Sequence, residues 1–296
     1  MAQTFETLSR HHDTLTSIRG IVHTMKTLSA INASPYERAA SSIEAYHRTI
    51  LQGFAAFAHR TGKIALQSDD AAGHLLVIFG SDHGLCGNYN EVLAETVKQY
   101  CEVQTSRKPR VLCVGARMNN ALISRNLSPE AVLLPPASAE GIGRLAGEIV
   151  TRLDIINRGQ PLYRIAVTLA FTQRGGQHLR EPVTQSLLPL EPSLLRPERR
   201  WHSPSLPDYS MAPGAMLASL VRSHIFASVF RASAEAMVTE NSARLELMQQ
   251  AEQSVDDRLE QVKGELRSVR QTEITDELMD VITSFDALKK DAMRKK

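Results

Sequence analysis

A glycine-rich segment is the first place in this sequence where chemistry could be expected. It runs from Gly80 to Gly87, reads GSDHGLCG and directly follows the apolar run Leu75–Phe79. A glycine-rich loop between a strand and a helix can cradle a phosphate with its backbone N–H groups. The segment nevertheless lacks both the Gly-Lys-Ser/Thr of a Walker A loop and the G-x-G-x-x-G spacing. We therefore interpret it as a tight strand-to-helix turn with Gly84, Cys86 and Gly87 as its loop residues.

Residues that could bind a metal or transfer a proton give weak signals. Among ten histidines only His11 and His12 are adjacent, and neighbouring residues of a helix point about 100° apart, so the two chelate one metal poorly. Asp256 and Asp257 are interpreted as a solvated pair, and no nucleophile–base arrangement can be assembled. The sequence therefore predicts no catalytic residue, no metal site and no cofactor.

A polar cluster near the C-terminus is the strongest candidate for a contact site. Residues 270–278 read RQTEITDEL and interrupt an apolar repeat, because Leu266 and Ile274 are eight positions apart. Such a stutter locally unwinds a coiled coil. Two interpretations stay open: an ordinary solvated face, or a patch where the helix meets something other than its coiled-coil partner.

The element that carries this cluster is a long C-terminal helix. Between Gly214 and Lys296 the sequence has no proline and a single glycine, Gly264, so one uninterrupted helix is possible. Apolar residues recur there with coiled-coil spacing. They are Met248, Val255, Leu259, Val262, Leu266, Val269, Ile274, Leu278, Val281, Phe285 and Leu288. A helix with this stripe needs a partner helix to cover it. Its length would exceed that of one compact domain, so part of it is expected to reach into another protein.

A second apolar stripe near the N-terminus supplies that partner. Its members are Leu8, Leu15, Ile18, Val22, Met25, Ile43, Tyr46, Ile50, Phe54 and Phe57. We expect residues 1–60 and 209–290 to form an antiparallel or offset coiled coil. Pro35 interrupts the first stripe, so a kink or a short break is expected between residues 31 and 36.

The residues between the helices, 72–190, predict a small central α/β domain. Strand patterns cover residues 75–79, 111–114, 163–172 and 183–188, and helical patterns cover 90–104, 117–125 and 142–157. This alternation is typical of a mainly parallel, Rossmann-like sheet, here with an antiparallel edge after a hairpin-like turn at 174–176. Residues 189–213 are expected to form an extended connector. The fold class is therefore mixed, α+β with α/β: two long helices and a small central α/β domain.

Composition narrows the class of protein. A formal net charge of +2 over 296 residues disfavours a dedicated nucleic-acid binder. The three cysteines, Cys86, Cys101 and Cys113, form no C-x-x-C pair and are interpreted as inert thiols in a reducing compartment. No signal peptide is expected, and the apolar run Leu75–Phe79 is far too short to span a bilayer. A soluble, cytoplasmic protein that can dock onto a membrane complex is predicted.

Four segments together resemble one known family, the gamma subunit of ATP synthase. Residues 80–87 resemble its SSDRGLCG loop, 239–248 its SE-x-x-ARM-x-AM helix and 270–278 its C-terminal signature. The N-terminal SIKNTQKITKAM-x-MVAAS segment is matched by Ser17, Ile18, Arg19, Lys26, Ala33 and Ser34. The segments follow in the family's order and extend over essentially the whole chain.

The resemblance implies a rotor. It implies that the paired helices turn inside a ring of three alpha and three beta subunits, and that the central domain sits with the epsilon subunit on a membrane-embedded c ring. The chain would then be a non-catalytic, peripheral subunit on the cytoplasmic side of a bacterial inner membrane, with either H⁺ or Na⁺ as the coupled ion. By position, contacts with the beta subunit are implied for Lys26, Arg244, Arg270, Gln271, Thr275 and Glu277.

This chain also departs from the family's pattern. Pro35 stands where a basic residue is common, and His83 replaces the arginine of the glycine loop. These changes suggest a divergent form, such as the gamma subunit of the alternative, N-type rotary ATPases. Two other classes are weighed against the rotor: a nucleotide-binding enzyme with helical arms, and a stand-alone coiled-coil adaptor.

Overall fold

The structure, a computed structural model, describes residues 4–62, 73–104, 109–157, 165–175, 180–195, 205 and 208–294. The α-helices and strands of these ranges are α1 Phe5–Thr61, β1 His74–Phe79, α2 Tyr89–Gln104, β2 Arg110–Val114, α3 Ala116–Ile123, β3 Ala131–Leu133, α4 Ile142–Ile156, β4 Ala166–Arg174, β5 Arg180–Leu188 and α5 Pro213–Arg294. Two short 3-10 helices lie at Ala139–Gly141 and Pro192–Leu195. By its internal contacts the chain divides into two units, residues 28–245 and the helical segments of 1–27 with 246–296.

The larger unit is organised around a five-stranded sheet with the strand order β3-β2-β1-β4-β5. β1 is parallel to β2 and β4, β2 is parallel to β3, and β4 is antiparallel to β5. The predicted parallel sheet with an antiparallel edge is confirmed. Strand β3 was not predicted, because its three residues are too few to show a period. The turn predicted at 174–176 lies partly outside the described residues, as do residues 196–204, 206 and 207 of the predicted connector.

The packing of the central strand β1 explains why residues 75–79 form a continuous apolar run in the sequence. Leu76 and Ile78 pack on one face of the sheet with α2 and α3, whereas Leu75, Val77 and Phe79 pack on the other face with α4, α1 and α5. Successive side chains of a strand point to opposite faces. A strand covered on both sides therefore has no polar face to show.

Within the larger unit α1 and α5 run antiparallel. Glu44 of α1 pairs with Arg231 of α5 at 3.4 Å. The Nε2 atom of His47 lies 3.3 Å from Nδ1 of His224. His47 follows Glu44 by three residues on α1, whereas His224 precedes Arg231 by seven residues on α5. The predicted antiparallel pairing is confirmed in this unit.

Pro35 does not break α1, which continues from Phe5 to Thr61; the predicted short break is wrong. The proline removes one backbone donor at a typical cost of about 3 kcal/mol. Packing on its C-terminal side opposes that cost, because Tyr36, Ala40 and Ile43 are all buried. The Tyr36 hydroxyl also donates to the carbonyl of Pro136 at 3.2 Å. Tertiary contacts thus hold a helix that local preference alone would interrupt.

The smaller unit is an antiparallel pair made of the start of α1 and the later part of α5. Arg19 pairs with Asp256 at 2.5 Å, and Lys26 pairs with Glu252. The partner number on α5 falls as the number on α1 rises, as an antiparallel pair requires. The fully or largely buried apolar residues of this pair are Leu8, Val22, Met248, Leu259 and Val262.

The predicted seam ends earlier on α5 than the sequence suggested. Leu266 is only half-buried, so Leu266→Ala should cost less than the 2–5 kcal/mol typical of a fully buried leucine. Beyond it, Ile274, Leu278, Val281 and Phe285 are exposed, which corrects their assignment to the seam. The reason is length: α1 begins at Phe5, and the register set by Arg19 and Asp256 brings this first residue of α1 opposite residues near 270 of α5.

The stacked pair His47–His224 should make the stability of the larger unit depend on pH. Burial and the neighbouring His47 lower the pKa of His224 to about 4, whereas an unfolded histidine titrates near 6.5. The unfolded chain therefore takes up the proton first, and stability is complete above pH 6.5 and lost as the pH falls toward 4. Between pH 7.5 and pH 5 the free energy of unfolding should fall by about 2 kcal/mol on account of this residue.

Urea unfolding at several pH values measures this loss. His224→Gln removes the titrating group and should flatten that part of the profile. The opposite result, a profile of the same steepness in the variant, would assign the loss to other groups. His47, whose pKa is also lowered by burial and by Arg231, is the first alternative to replace.

Candidate partner-binding sites

The glycine segment forms a tightly packed loop at the carboxyl ends of β1 and β2. A Cβ atom on Gly80 would lie 2.4 Å from Cβ of Met118. Gly115 has a φ of +104°, and a Cβ atom there would lie 2.4 Å from the Ser81 carbonyl oxygen. The loop itself turns through Leu85 and Gly87, which have φ values of 64° and 66°. These glycines permit close backbone packing.

The N–H groups at the start of α3 bond to the glycine loop. A carboxylate oxygen of Asp82 accepts from the N–H of Ala116 at 3.0 Å. The Ser81 carbonyl accepts from the N–H groups of Arg117 and Met118 at 3.1 and 3.2 Å. The loop therefore caps α3, and its backbone is held in place by this second helix as well as by α2, which follows it in the chain. The geometry favours the structural interpretation of the segment.

Cys86 of this loop faces inward. It packs with Tyr89 and Ala243, and burial raises the pKa of its thiol. Burial also raises the pKa of Cys113 to about 12. Both sulfurs therefore stay protonated near neutral pH, and a thiol without thiolate character is a poor nucleophile.

Helix α5 covers the position where a Rossmann-like sheet would bind a nucleotide. The strand order reverses between β1 and β4, and ligands of such sheets bind outside the carboxyl ends at this point. Here the Thr239 hydroxyl donates to the carbonyl of Thr172, near the end of β4, at 3.0 Å. Tyr89, just after the glycine loop, donates to the carbonyl of Ala236 at 2.9 Å. A nucleotide-binding enzyme of this fold would hold its ligand in the crevice at this point, and here α5 occupies it.

Arg244 lies inside the larger unit, where the sequence suggested a partner contact. Only 6% of Arg244 and 5% of Glu240 is exposed. The Arg244 guanidinium donates to Oε1 of Glu240 at 2.6 Å and to the carbonyl of Gly84 at 3.3 Å. Burial raises the pKa of Glu240, and the charge of Arg244 opposes that rise. In this structure Arg244 therefore links α5 to the glycine loop of its own chain.

Lys26 likewise has a partner within the chain. Its ammonium group pairs with Glu252, and Nδ1 of His23 lies 2.9 Å from the same carboxylate. Hydrogen bonds from Lys26 and His23 lower the pKa of Glu252. Lys26 thus contributes to the antiparallel pairing of the smaller unit.

The other candidate residues lie together on the exposed end of α5. Arg270, Gln271, Thr275 and Glu277 are all exposed. They border an apolar stripe, which we call the tip stripe and define as Ile274, Leu278, Val281, Ile282 and Phe285. At 100° per residue, Arg270 and Glu277 lie along one edge of the stripe and Thr275 along the other, and Gln271 precedes it on the same face. Exposed fractions reach 58% at Leu278 and 67% at Phe285.

An exposed apolar stripe with a polar border has the make-up of a protein-binding surface. Its periodicity was visible in the sequence, but the absence of a covering helix in the described chain was not. Four of its five members, Ile274, Leu278, Val281 and Phe285, are residues that the sequence pattern assigned to the coiled-coil seam.

Two further classes of site find no support among the described residues. In those ranges no three histidine, cysteine or acidic side chains meet in a way that could hold a metal ion. No helix found in them is long and apolar enough to cross a membrane.

Comparison with known proteins agrees with this geometry. The ATP synthase family model matches residues 4–288. The ATP synthase gamma chain of Polynucleobacter necessarius is 29% identical over 257 residues, which cover 85% of this chain and 84% of that protein. The gamma chain of Beijerinckia indica is 28% identical over 218 residues, 73% of each protein.

Solved structures show the same fold. A chain in the cryo-EM structure of Euglena gracilis mitochondrial ATP synthase, comprising OSCP, F1 and the c-ring in rotational state 3, has a TM-score of 0.62 at 13% identity. That match covers 96% of this chain and 94% of the other. With the family match over nearly its whole length, and relatives that are gamma chains, this chain belongs to the gamma-subunit family of ATP synthase.

Proposed function

We propose that this chain is the central-stalk rotor of a rotary ATP synthase. Ion flow through a membrane c ring turns the chain, and the turning chain drives the catalytic beta subunits through their nucleotide affinities. The observation that supports this most directly is the tip stripe, because α5 continues beyond the residues that α1 can cover and leaves an apolar surface for another protein.

The proposal gives each exposed element a partner. The tip stripe and its border, Arg270, Gln271, Thr275 and Glu277, contact the ring of alpha and beta subunits. The central sheet domain contacts the epsilon subunit and the c ring. Lys26 and Arg244 act on the beta subunit only indirectly, since both are bonded within the chain.

The same proposal places the chain at a membrane without inserting it. It is a peripheral, non-catalytic subunit on the cytoplasmic side of a bacterial inner membrane. The departures at Pro35 and His83 favour a divergent gamma subunit, such as that of the N-type enzymes. The ion, H⁺ or Na⁺, is set by the c ring.

Reconstitution tests the proposed function. The purified chain alone should hydrolyse no ATP above a contamination control, because its sequence contains no Walker A loop. Added to alpha and beta subunits from the same genome, it should raise ATP turnover about tenfold or more, a change of only about 1.4 kcal/mol in the barrier.

The matched control is the same chain ending at Val269, which keeps the described pairing with α1 and lacks the tip stripe. It should not raise turnover. ATP hydrolysis by the pure, full-length chain, or equal stimulation by the shortened one, would contradict the proposal.

A further inference from the structure

We infer that residues 235–244 of α5, which we call the clasp, fix the rotational setting of this helix against the sheet domain, with Arg244 as its buried positioning residue. This role rests on the proposed rotor function, in which the sheet domain and the helix must turn together. It differs from a direct contact between Arg244 and a partner subunit.

The clasp bonds to three separate parts of the sheet domain. At the end of β4, Arg174 pairs with Glu235 at 2.9 Å, and the Thr172 carbonyl accepts from Thr239 at 3.0 Å. At the start of α2, Tyr89 donates to the carbonyl of Ala236 at 2.9 Å. The third part is the glycine loop, whose Gly84 carbonyl accepts from Arg244.

The hydrogen bonds of the clasp restrict the rotation of α5, which apolar packing alone does not do. Apolar burial is non-directional, so a helix held only by it can rotate or slide at little cost. Hydrogen bonds require a defined distance and angle, and those of the clasp meet residues separated by nine positions along α5. Together they allow one rotational setting of the helix against the sheet.

Within the clasp, Arg244 is the residue whose loss should have the largest effect. It and Glu240 are both buried, and a buried charge is tolerated only when it is paired and hydrogen-bonded. The Glu240 pairing lies within α5 itself, whereas the Gly84 carbonyl belongs to the loop. The loop presents this carbonyl because the chain reverses through positive φ at Leu85 and Gly87. Removing Arg244 both deletes the bond of α5 to the Gly84 carbonyl and leaves a buried carboxylate unpaired.

Melting of the full-length chain tests the inference without any partner subunit. Arg244→Met keeps the side-chain volume and removes the charge, and should lower Tm by roughly 5–10 °C. Adding Glu240→Gln removes the unpaired carboxylate and should recover part of that loss, because the neutral pair leaves no buried charge. Arg258→Met is the matched control: Arg258 lies on the same helix and is exposed, so its loss should change Tm by about 2 °C at most.

The pH dependence of Tm distinguishes the buried charge pair of the clasp from ordinary apolar packing. In Arg244→Met the buried Glu240 can be neutralised by a proton, so its Tm deficit relative to wild type should shrink as the pH falls from about 8 to about 5.5. The double variant should show no such recovery. Besides Arg244, the charges of Asp82 and His83 act on Glu240. Burial and the charge of Glu240 in turn raise the pKa of Tyr36, Cys86 and Tyr89, and Glu91 also raises the pKa of Cys86. All of these groups other than Arg244 and Glu240 are unchanged in both variants.

The outcomes are distinct. A Tm loss in Arg244→Met that shrinks at low pH supports the clasp. If Arg244→Met melts like Arg258→Met at every pH, Arg244 holds nothing inside the chain and the inference is overturned. Failure of the rotor proposal is a separate result, since it appears only as wild-type chain that does not stimulate the catalytic subunits.

Discussion

Replacing Leu278 and Phe285 together by aspartate is expected to lower the ATP turnover of the assembled complex by about tenfold or more. Both side chains are exposed in the free chain and lie seven residues apart on the tip stripe. In the complex they would enter an apolar contact, where a buried, unpaired carboxylate costs several kcal/mol. Turnover of the reconstituted complex, measured at saturating ATP, gives the effect.

The isolated chain should be unaffected by the same two changes, because exposed positions contribute little to folding. Its Tm should stay within about 2 °C of wild type. The control is Gln261→Asp with Ser268→Asp, which adds two carboxylates at the same spacing to exposed polar positions of α5. If control and tip variants reduce turnover equally, added charge and not the lost apolar contact is responsible.

The polar border can be tested in the same assay. Gln271→Ala and Thr275→Val should each reduce turnover with no change in melting, because hydrogen bonds to a partner typically contribute about 1–3 kcal/mol. The Thr275 hydroxyl already donates to the Gln271 carbonyl within the helix at 2.8 Å. Full turnover in both variants would mean that the border is only solvated.

The second large effect concerns stability. Gly115→Ala should reduce the free energy of unfolding by about 3–5 kcal/mol or prevent folding. The backbone φ of +104° strains any L side chain, and the new Cβ atom would lie 2.4 Å from the carbonyl oxygen of Ser81. That carbonyl is backbone and accepts from the first turn of α3, so it cannot move aside without loss. Urea unfolding followed by circular dichroism measures the change.

Gly147→Ala is the matched comparison. Gly147 lies inside α4 of the same unit, and a Cβ atom there meets nothing within 4 Å. Alanine at a helical, uncrowded position should raise stability by about 0.5–1 kcal/mol. The two glycine substitutions are chemically identical, so opposite signs would locate the effect in the surroundings of Gly115. Similar values for both would contradict the steric argument.

Elements with a repeating pattern could be predicted from the sequence. The helix expected over 142–157 is observed as Ile142–Ile156, and the strand expected over 111–114 as Arg110–Val114. Periodicity is local, so each segment contains its own signal. Strand β3 contains three residues and therefore too few positions for a period. Pro35 shows the opposite failure, in which a strong local signal was overridden by the packing of Tyr36 and Ala40.

The sequence indicated which residues belong to the candidate site, but not which of them are exposed and which are buried. The exposed group at 270–277 carries a recognisable motif, whereas the burial of Arg244 has no local signature. Its neighbours in sequence are ordinary helix residues, and its hydrogen-bond acceptor, the Gly84 carbonyl, is distant along the chain. A side chain's role follows from groups that only folding brings near.

By itself the sequence determined that two long amphipathic helices flank a small, mainly parallel sheet, because hydrophobic period and proline placement act through neighbouring residues. The tertiary structure alone decided where the helix pairing ends and which charges are buried. The first depends on the register between α1 and α5, which leaves Ile274 to Phe285 uncovered. The second depends on the loop that meets Arg244. Both are contacts between residues far apart in the chain, and such contacts leave no repeat to read.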